Sequence, residues 1–237
     1  MRTPDVPKEI SSLITEEEII IFQELKTKIE ELNNKTNLTR LIDGDDYWIS
    51  QVFDSIWPFK INTNIHFDNK KFLDIGTGCG FPGLAYAITH PRSEIYLIDS
   101  SKKKTNALKI LIKEINFRNN IHVINDRIEN LAHQSLMRNS FNIATTRAVS
   151  NPSTVSEYIL PMLKKDGLGI LYCGKWTEVE SKKLDKTLEI LEGKVKEKKK
   201  ILLPRSKGIR NIIFVQPKNF CPEIYPRKVG KAEKNPL

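Results

Sequence analysis

The chain has 237 residues, 39% of them hydrophobic, which is enough for one large domain with a small helical addition at most. Its three widely spaced cysteines argue against a disulfide framework and a zinc site. The first residues lack the apolar core of a signal peptide, and no apolar run is long enough to span a membrane. We therefore expect a cytoplasmic protein that binds neither a metal nor a membrane.

The net charge of +9 is concentrated at the C-terminal end of the chain. Residues 193–237 hold 13 lysines and arginines against three acidic residues, a net of +10, whereas residues 1–192 hold 25 against 26, a net of −1. Basic segments of this kind commonly contact phosphates. A solvated charged surface is the alternative interpretation.

The first 60 residues are predicted to form helices packed on the main domain. Thr15 and Glu18 form a capping box, and apolar residues follow at helical intervals. Asp45 or Asp46 is expected to cap a second helix that ends at Pro58. We expect three regions: this helical segment, a main domain over 61–217, and a basic C-terminal tail over 218–237.

From residue 71 onward, strands and helices alternate, which predicts an α/β fold with a mainly parallel sheet. Seven strands are expected, at 71–75, 95–99, 121–125, 141–146, 168–173, 200–204 and 211–216. Helices are expected between them, at 81–90, 102–116, 128–133, 152–163 and 175–192. Only a short turn separates the last two strands, so they can pair as an antiparallel hairpin. A terminal hairpin after five parallel strands is typical of the Rossmann-like class I methyltransferase fold.

The run FLDIGTGCGFPG, residues 72–83, places glycines at 76, 78 and 80 directly after the first strand. Glycine suits a backbone that takes positive φ or closely approaches a ligand. An Asp-x-Gly-x-Gly-x-Gly pattern, here beginning at Asp74, is how many methyltransferases hold S-adenosylmethionine. Gly78 to Gly83 also match the dinucleotide fingerprint. Asp74 favours the methyl donor, and Pro82 lacks the N–H that a pyrophosphate would need.

Polar residues that follow the next strands complete the predicted pocket, because ligands of such sheets lie beyond the carboxyl ends of the strands. Asp99 ends the second strand, 23 residues after Gly76, and suits a ribose in either cofactor. Residues 126–129 are candidates for contact with an adenine ring, although helix capping explains their acidic residues equally well.

Residues 145–149 follow the fourth strand and face the place where a methyl group would be transferred. This loop has neither the Pro-Pro-aromatic motif of amino-group methylation nor the cysteine of pyrimidine C5 methylation. It offers Arg147, whose planar fork can hold a carboxylate, a phosphate or a guanine edge, or else form a structural ion pair. Guanine N7 has its own lone pair and needs no base, so alignment is the main requirement.

The chain resembles the bacterial 16S ribosomal RNA guanine-N7 methyltransferases, the RNA methyltransferase G or glucose-inhibited division protein B family. Nearly the whole chain is covered, with these markers: Asn37-Leu38-Thr39, Asp54-Ser55, Asp74 to Gly83, Asp99-Ser100, Arg127-Ile128-Glu129, Arg147-Ala148 and Tyr225 to Leu237. The resemblance implies methyl transfer from S-adenosylmethionine to one guanine of 16S ribosomal RNA or the small ribosomal subunit.

The donor contacts expected from the pattern and the resemblance together are Asp74, Gly76, Gly78, Phe81, Asp99, Ser100, Ser101, Ile128, Glu129 and Arg147. Arg147 is also the expected catalytic residue. The chain departs from the family at Gln51, where a histidine is common, and after the fifth strand, where Cys173-Gly174-Lys175 replaces the usual Lys-Gly pair and Lys175 lies two positions after the usual lysine. Three alternatives stay open: a small-molecule methyltransferase, a nicotinamide-dependent oxidoreductase and a non-catalytic RNA-binding factor.

Overall fold

The computed structural model describes residues 6–60, 65–147 and 150–237, which build one seven-stranded sheet flanked by helices. The strands are β1 (Lys71–Ile75), β2 (Glu94–Asp99), β3 (Asn120–Asn125), β4 (Phe141–Arg147), β5 (Leu163–Cys173), β6 (Gly193–Leu202) and β7 (Ile209–Pro217). The α-helices are α1 (Lys8–Ser11), α2 (Glu16–Thr36), α3 (Asp54–Lys60), α4 (Gly83–Thr89), α5 (Lys102–Glu114), α6 (Ile128–Leu131), α7 (Pro152–Ile159), α8 (Glu178–Ile190) and α9 (Lys231–Lys234). A π-helix, Asp46–Phe53, runs directly into α3, and a 3-10 turn, Leu160–Met162, follows α7.

The strand order is β3-β2-β1-β4-β5-β7-β6. Strands β1 to β5 are parallel, and β7 pairs antiparallel with both β5 and β6. The predicted parallel sheet with a terminal hairpin is therefore confirmed. The chain order reverses between β1 and β4, and the crevice beyond the carboxyl ends of those strands is where sheets of this type bind ligands.

Each face of the sheet is covered by its own apolar core, as alternation along the strands requires. On one face, Phe72 of β1 packs with α4, α5 and the helices of the N-terminal segment. On the other face, Leu73 packs with α7 and α8. The N-terminal helices therefore share a core with the sheet, as expected for a segment packed on the main domain. The expected boundary at residue 61 lies outside the described residues, and the three-region division stays a prediction.

The predicted ends of the second helix were wrong in two respects. Asp45 precedes the π-helix but makes no capping hydrogen bond, and its carboxylate instead pairs with Arg205 at 2.5 Å. Pro58 lies inside α3, which continues to Lys60. Proline removes one backbone donor, but every residue from 54 to 59 is buried, so tertiary packing maintains the helix.

Strand β6 begins at Gly193, seven residues before the predicted start at 200. The first half of β6 is rich in lysine. It therefore lacks the alternation of apolar and polar residues that predicts a strand. Because β6 is the edge strand, it tolerates exposed lysines, which also discourage pairing with other chains. β5 likewise begins at Leu163 instead of 168, because the predicted helix 152–163 gives way to the 3-10 turn that contains Pro161.

Candidate functional site

Two adjoining cavities lie beyond the carboxyl ends of the central strands. The larger has a volume of about 680 Å³ and the smaller about 200 Å³. Gly76 and Lys104 line both, so the two cavities meet at the end of β1. This is the edge at which the sequence predicted a ligand site.

The carboxylate of Asp74 stabilises the glycine loop by accepting hydrogen bonds from it. Its Oδ2 accepts hydrogen bonds from Thr77 Oγ1 at 2.7 Å and from the Gly83 N–H at 2.9 Å, and Oδ1 accepts one from Thr145 Oγ1 at 3.2 Å. Complete burial raises the pKa of Asp74 to about 6. The carboxylate thus organises the loop, and a direct contact of Asp74 with a cofactor stays a prediction.

The glycines of the loop are required by its backbone. Gly76, Gly78 and Gly80 have φ values of 69°, 60° and 102°, in the region that L side chains rarely adopt. A Cβ on Gly83 would lie 2.2 Å from Leu97 Cδ2 and 3.0 Å from Asp74 Oδ2. The loop therefore closely approaches both the ligand cavities and the strand beside it.

Asp99 stands at the end of β2 and lines the smaller cavity with Ser100. Its carboxylate accepts hydrogen bonds from the Gly78 N–H at 3.0 Å and from the Ser101 N–H at 2.8 Å. Ser101 caps α5 through the N–H of Lys104, at 3.5 Å. Asp99 is thus fixed against the glycine loop and faces a cavity, as a ribose-binding carboxylate requires.

Ile128 and Glu129 also line the smaller cavity, where the sequence placed the adenine ring. Arg127 donates to both oxygens of Glu129, at 2.9 and 3.2 Å, and the Gly230 N–H donates to one of them at 3.1 Å. Burial by itself would raise the pKa of Glu129, but these hydrogen bonds bring it below its ordinary value. Asp126 accepts from Asn130 Nδ2 at 2.8 Å and from the Arg127 N–H at 2.7 Å, but no side chain makes a capping hydrogen bond at the start of α6, so the capping alternative was wrong.

Arg147 lies at the end of β4 on the wall of the larger cavity and reaches across to the N-terminal helices. Its Nη1 donates to Ser50 O at 3.1 Å, to Asp54 Oδ2 at 3.3 Å and to Ser55 Oγ at 3.3 Å. Its Nη2 donates to Gln51 Oε1. The guanidinium is therefore held by four acceptors.

Asp54 is the centre of this cluster and is completely buried. Its second oxygen, Oδ1, accepts from Arg210 Nε at 2.7 Å, so one carboxylate joins two arginines. The backbone carbonyl of Ser55 accepts from the hydroxyl of Tyr172, at 2.9 Å. Asp54 is recognisable in the sequence as a family marker, but its contact with Arg210 and that of Ser55 with Tyr172 are not, because the partners lie more than 100 positions away.

Gln51, the departure from the family pattern, lies at the junction of three elements. Its Nε2 donates to Thr39 Oγ1 at 3.0 Å and to Cys79 Sγ at 3.3 Å, while its Oε1 accepts from Arg147. It therefore links the Asn-Leu-Thr loop, the glycine loop and the end of β4. Phe81 and Lys175 also line the larger cavity. Ala148 and Val149 lie outside the described residues.

Part of the C-terminal basic charge is paired within the fold. Five cations from residues 193–237 contact buried or half-buried carboxylates, in the pairs Lys199–Glu197, Arg205–Asp45, Lys207–Asp46, Arg210–Asp54 and Arg227–Glu157. These five make intramolecular contacts. Phosphate contacts stay a prediction for the other lysines of this region.

Over the described ranges 6–60, 65–147 and 150–237, no group of three His, Cys, Asp or Glu side chains is arranged to hold a metal ion. Within the same ranges, none of the helices combines the length and the apolar character needed to cross a bilayer.

Comparisons with known proteins identify the fold and the family. The sequence model of the family described as rRNA small subunit methyltransferase G matches residues 18–209. The ribosomal RNA small subunit methyltransferase G of Prochlorococcus marinus (strain MIT 9312) is 83% identical over the full length of both chains. This chain belongs to the rRNA small subunit methyltransferase G family. It is therefore a methyltransferase, which excludes the oxidoreductase alternative.

Solved structures support the same fold. Fibrillarin from Aeropyrum pernix, solved with natively bound S-adenosyl-L-methionine, has a TM-score of 0.52 and 15% identity over 67% of this chain and 71% of its own. A 16S rRNA (adenine(1408)-N(1))-methyltransferase from Catenulisporales acidiphilia, solved with its cosubstrate, has a TM-score of 0.52 and 14% identity over 65% of this chain and 88% of its own. The predicted Rossmann-like class I fold is confirmed. Family and fold together also confirm the predicted donor, S-adenosylmethionine.

Proposed function

We propose that this protein transfers the methyl group of S-adenosylmethionine to N7 of a guanine in 16S ribosomal RNA. The observation that carries the proposal is the meeting of two cavities at Gly76. The smaller has a fixed carboxylate that can accept hydrogen bonds from ribose hydroxyls, and the larger has the volume of a typical small-ligand pocket. A nucleoside donor and a flipped-out base can therefore occupy neighbouring sites.

The residues around the smaller cavity fit the donor. Asp99 offers acceptors to the ribose hydroxyls, Ser100 lines the wall beside it, and Ile128 offers an apolar surface to the adenine. Gly76 and Gly78 keep the backbone free of side chains where the donor passes between the cavities. When bound, the donor supplies an electrophilic methyl group on a sulfonium.

The larger cavity suits an acceptor that needs no deprotonation. Asp54 is held by two arginines, and Glu180 is engaged in the capping box of α8, so neither carboxylate is placed as a general base. Burial raises the pKa of the Cys173 thiol to about 12, so it stays protonated and is a poor nucleophile at neutral pH. The guanine N7 lone pair needs neither.

Arg147 is proposed to act by alignment at the junction of donor and base. Because its four acceptors fix the guanidinium, it presents a rigid, positively charged wall to the larger cavity. Because the guanidinium is already fixed, it does not need to reorganise while it holds the target base during transfer. This role, and the donor contacts assigned to the other predicted residues, are part of the proposal.

RNA backbone contacts are proposed for exposed lysines around the site. Lys102 and Lys103 stand at the start of α5, beside the residue that lines both cavities, and both are exposed. Lys194, Lys196 and Lys200 are exposed along the edge strand β6. Each phosphate neutralised adds affinity that falls with salt. A protein with this substrate works where ribosomes assemble, so a cytoplasmic location is part of the same proposal.

The test is incubation of the purified protein with S-adenosylmethionine and unmodified small ribosomal subunits, followed by aniline cleavage to map 7-methylguanosine. We expect cleavage at a single guanine of 16S ribosomal RNA. Methylation of another base or atom would contradict the proposal. A free metabolite methylated at a salt-independent rate would favour the small-molecule alternative. RNA binding without methyl transfer would favour a binding factor.

A further inference from the structure

The C-terminal tail, residues 218–237, is docked along α6 and α7 by contacts that its composition does not predict. Arg227 donates to both oxygens of Glu157, from Nε to Oε1 at 3.0 Å and from Nη2 to Oε2 at 2.7 Å, and Glu157 is completely buried. His133 Nε2 lies 2.8 Å from Pro226 O, and Thr154 Oγ1 donates to Ala232 O at 3.0 Å. A basic segment free to wrap around RNA would not need these partners.

The docked tail reaches the smaller cavity. Glu233 lines that cavity together with Asp99 and Ser100. Arg127 Nη2 forms ion pairs with Glu233 Oε1, at 3.4 Å, and with Glu129 Oε1, at 2.9 Å. Arg127 therefore links the tail to the residues proposed to contact the adenine. The N–H of Gly230 also donates to Glu129, at 3.1 Å. Removal of the tail would take away one wall of the cavity and two of the contacts that fix its other wall.

We propose that the C-terminal tail is a structural wall of the donor site, that Glu233 is its positioning residue, and that donor binding and tail docking are coupled. The proposal rests on the assignment of the smaller cavity to the adenosyl end of the donor. A donor that fits the closed cavity binds the docked state more tightly than the undocked state. By linkage, it must shift the tail toward docking.

The first test is hydrogen exchange of the full-length protein with and without S-adenosylhomocysteine, the demethylated donor. We expect slower exchange in peptides that cover 226–237 when the ligand is bound, because local opening of the tail becomes less frequent. Peptides from β6 serve as the internal control and are expected to exchange equally in both states.

The second test compares two neighbouring substitutions by calorimetric titration with S-adenosylhomocysteine. Glu233→Gln removes the ion pair with Arg127 and is expected to weaken binding about threefold, the scale of a partly exposed pair. Lys234→Gln is the matched control, since Lys234 does not line the cavity, and its affinity is expected to stay within about twofold of wild type. A chain that ends at Tyr225 is expected to lose about tenfold or more.

The results separate this inference from the assignment of the donor. If wild-type protein binds S-adenosylhomocysteine while tail exchange and the affinities of both Glu233→Gln and the shortened chain are unchanged, the tail is not a wall of the donor site. If the shortened chain instead has only a raised KM for small subunits, the tail serves RNA and the inference is overturned. If wild-type protein does not bind the ligand, the donor assignment itself fails, and this inference with it.

Discussion

The two cavities are built by different kinds of contact. The glycine-loop wall of the smaller cavity depends on contacts between residues close in sequence: Asp74 with Gly83, nine positions apart, and Asp99 with Gly78, 21 apart. Around the larger cavity, the contacts join distant residues: Arg147 with Asp54, 93 positions apart, and Arg210 with Asp54, 156 apart. The glycine-loop wall is therefore a local motif, whereas the larger cavity forms only after three regions of the chain have assembled.

Substitution of Asp54 is expected to have the largest effect, because it connects those three regions. Asp54→Ala leaves two arginines without their shared partner, and loss of one member of a buried ion pair costs about 3–5 kcal/mol. Urea unfolding measures this difference. Asp185→Ala, on the exposed face of α8, is the control and should cost about 0.5 kcal/mol or less. If both variants have equal stability, Asp54 does not connect the acceptor side.

The buried carboxylate of Asp74 predicts a pH dependence on the donor side. Its folded pKa, about 6, lies above its ordinary value, so between pH 4 and 6 the folded state binds the proton more strongly than the unfolded state. The free energy of unfolding therefore falls as pH rises through this window, by about 2–3 kcal/mol.

Asp74→Asn has no such titration and isolates the effect from other groups. We expect the difference in unfolding free energy between wild type and Asp74→Asn to decline from pH 4 to 6 and then level off. Urea unfolding at four pH values measures it. A constant difference would show that the hydrogen bonds to Asp74 offset its burial completely.

Gly83→Ala tests the close approach under the glycine loop. The new Cβ would meet Leu97 Cδ2 at 2.2 Å, and overpacking of this kind costs about 1–3 kcal/mol. Calorimetric melting measures the loss of stability. Gly174→Ala is the matched control, since its Cβ would meet no atom within 4 Å. Equal melting temperatures for the two variants would contradict the packing seen at Gly83.

Gln51→Met is expected to have the smallest effect. It keeps the length of the side chain but removes the hydrogen bonds to Thr39, Cys79 and Arg147, at a cost of about 1 kcal/mol. We expect a several-fold rise in KM for small subunits, with little change in affinity for S-adenosylhomocysteine. The measurement is a steady-state assay with subunits as the varied substrate.

The sequence predicted the contacts between residues close in the chain better than the contacts between distant residues. The spacing of Gly76, Gly78 and Asp99 predicted that these residues meet at the end of β1, because a short loop and the next strand determine that part of the wall. The surroundings of Arg147 were not predictable from its neighbours, since its four acceptors come from residues 50–55. Glu233 was missed for the same reason. The lysine-rich start of β6 was missed because edge strands do not need apolar alternation.

The division of the site is tested most directly by two constants measured on two variants: the Kd for S-adenosylhomocysteine and the KM for small subunits. Asp99→Asn should raise the first about tenfold, since it loses a charged acceptor, and leave the second within about twofold. Gln51→Met should raise the KM for small subunits several-fold and leave the Kd for S-adenosylhomocysteine within about twofold. If each variant changes both constants to the same extent, the two cavities do not act as separate donor and acceptor sites.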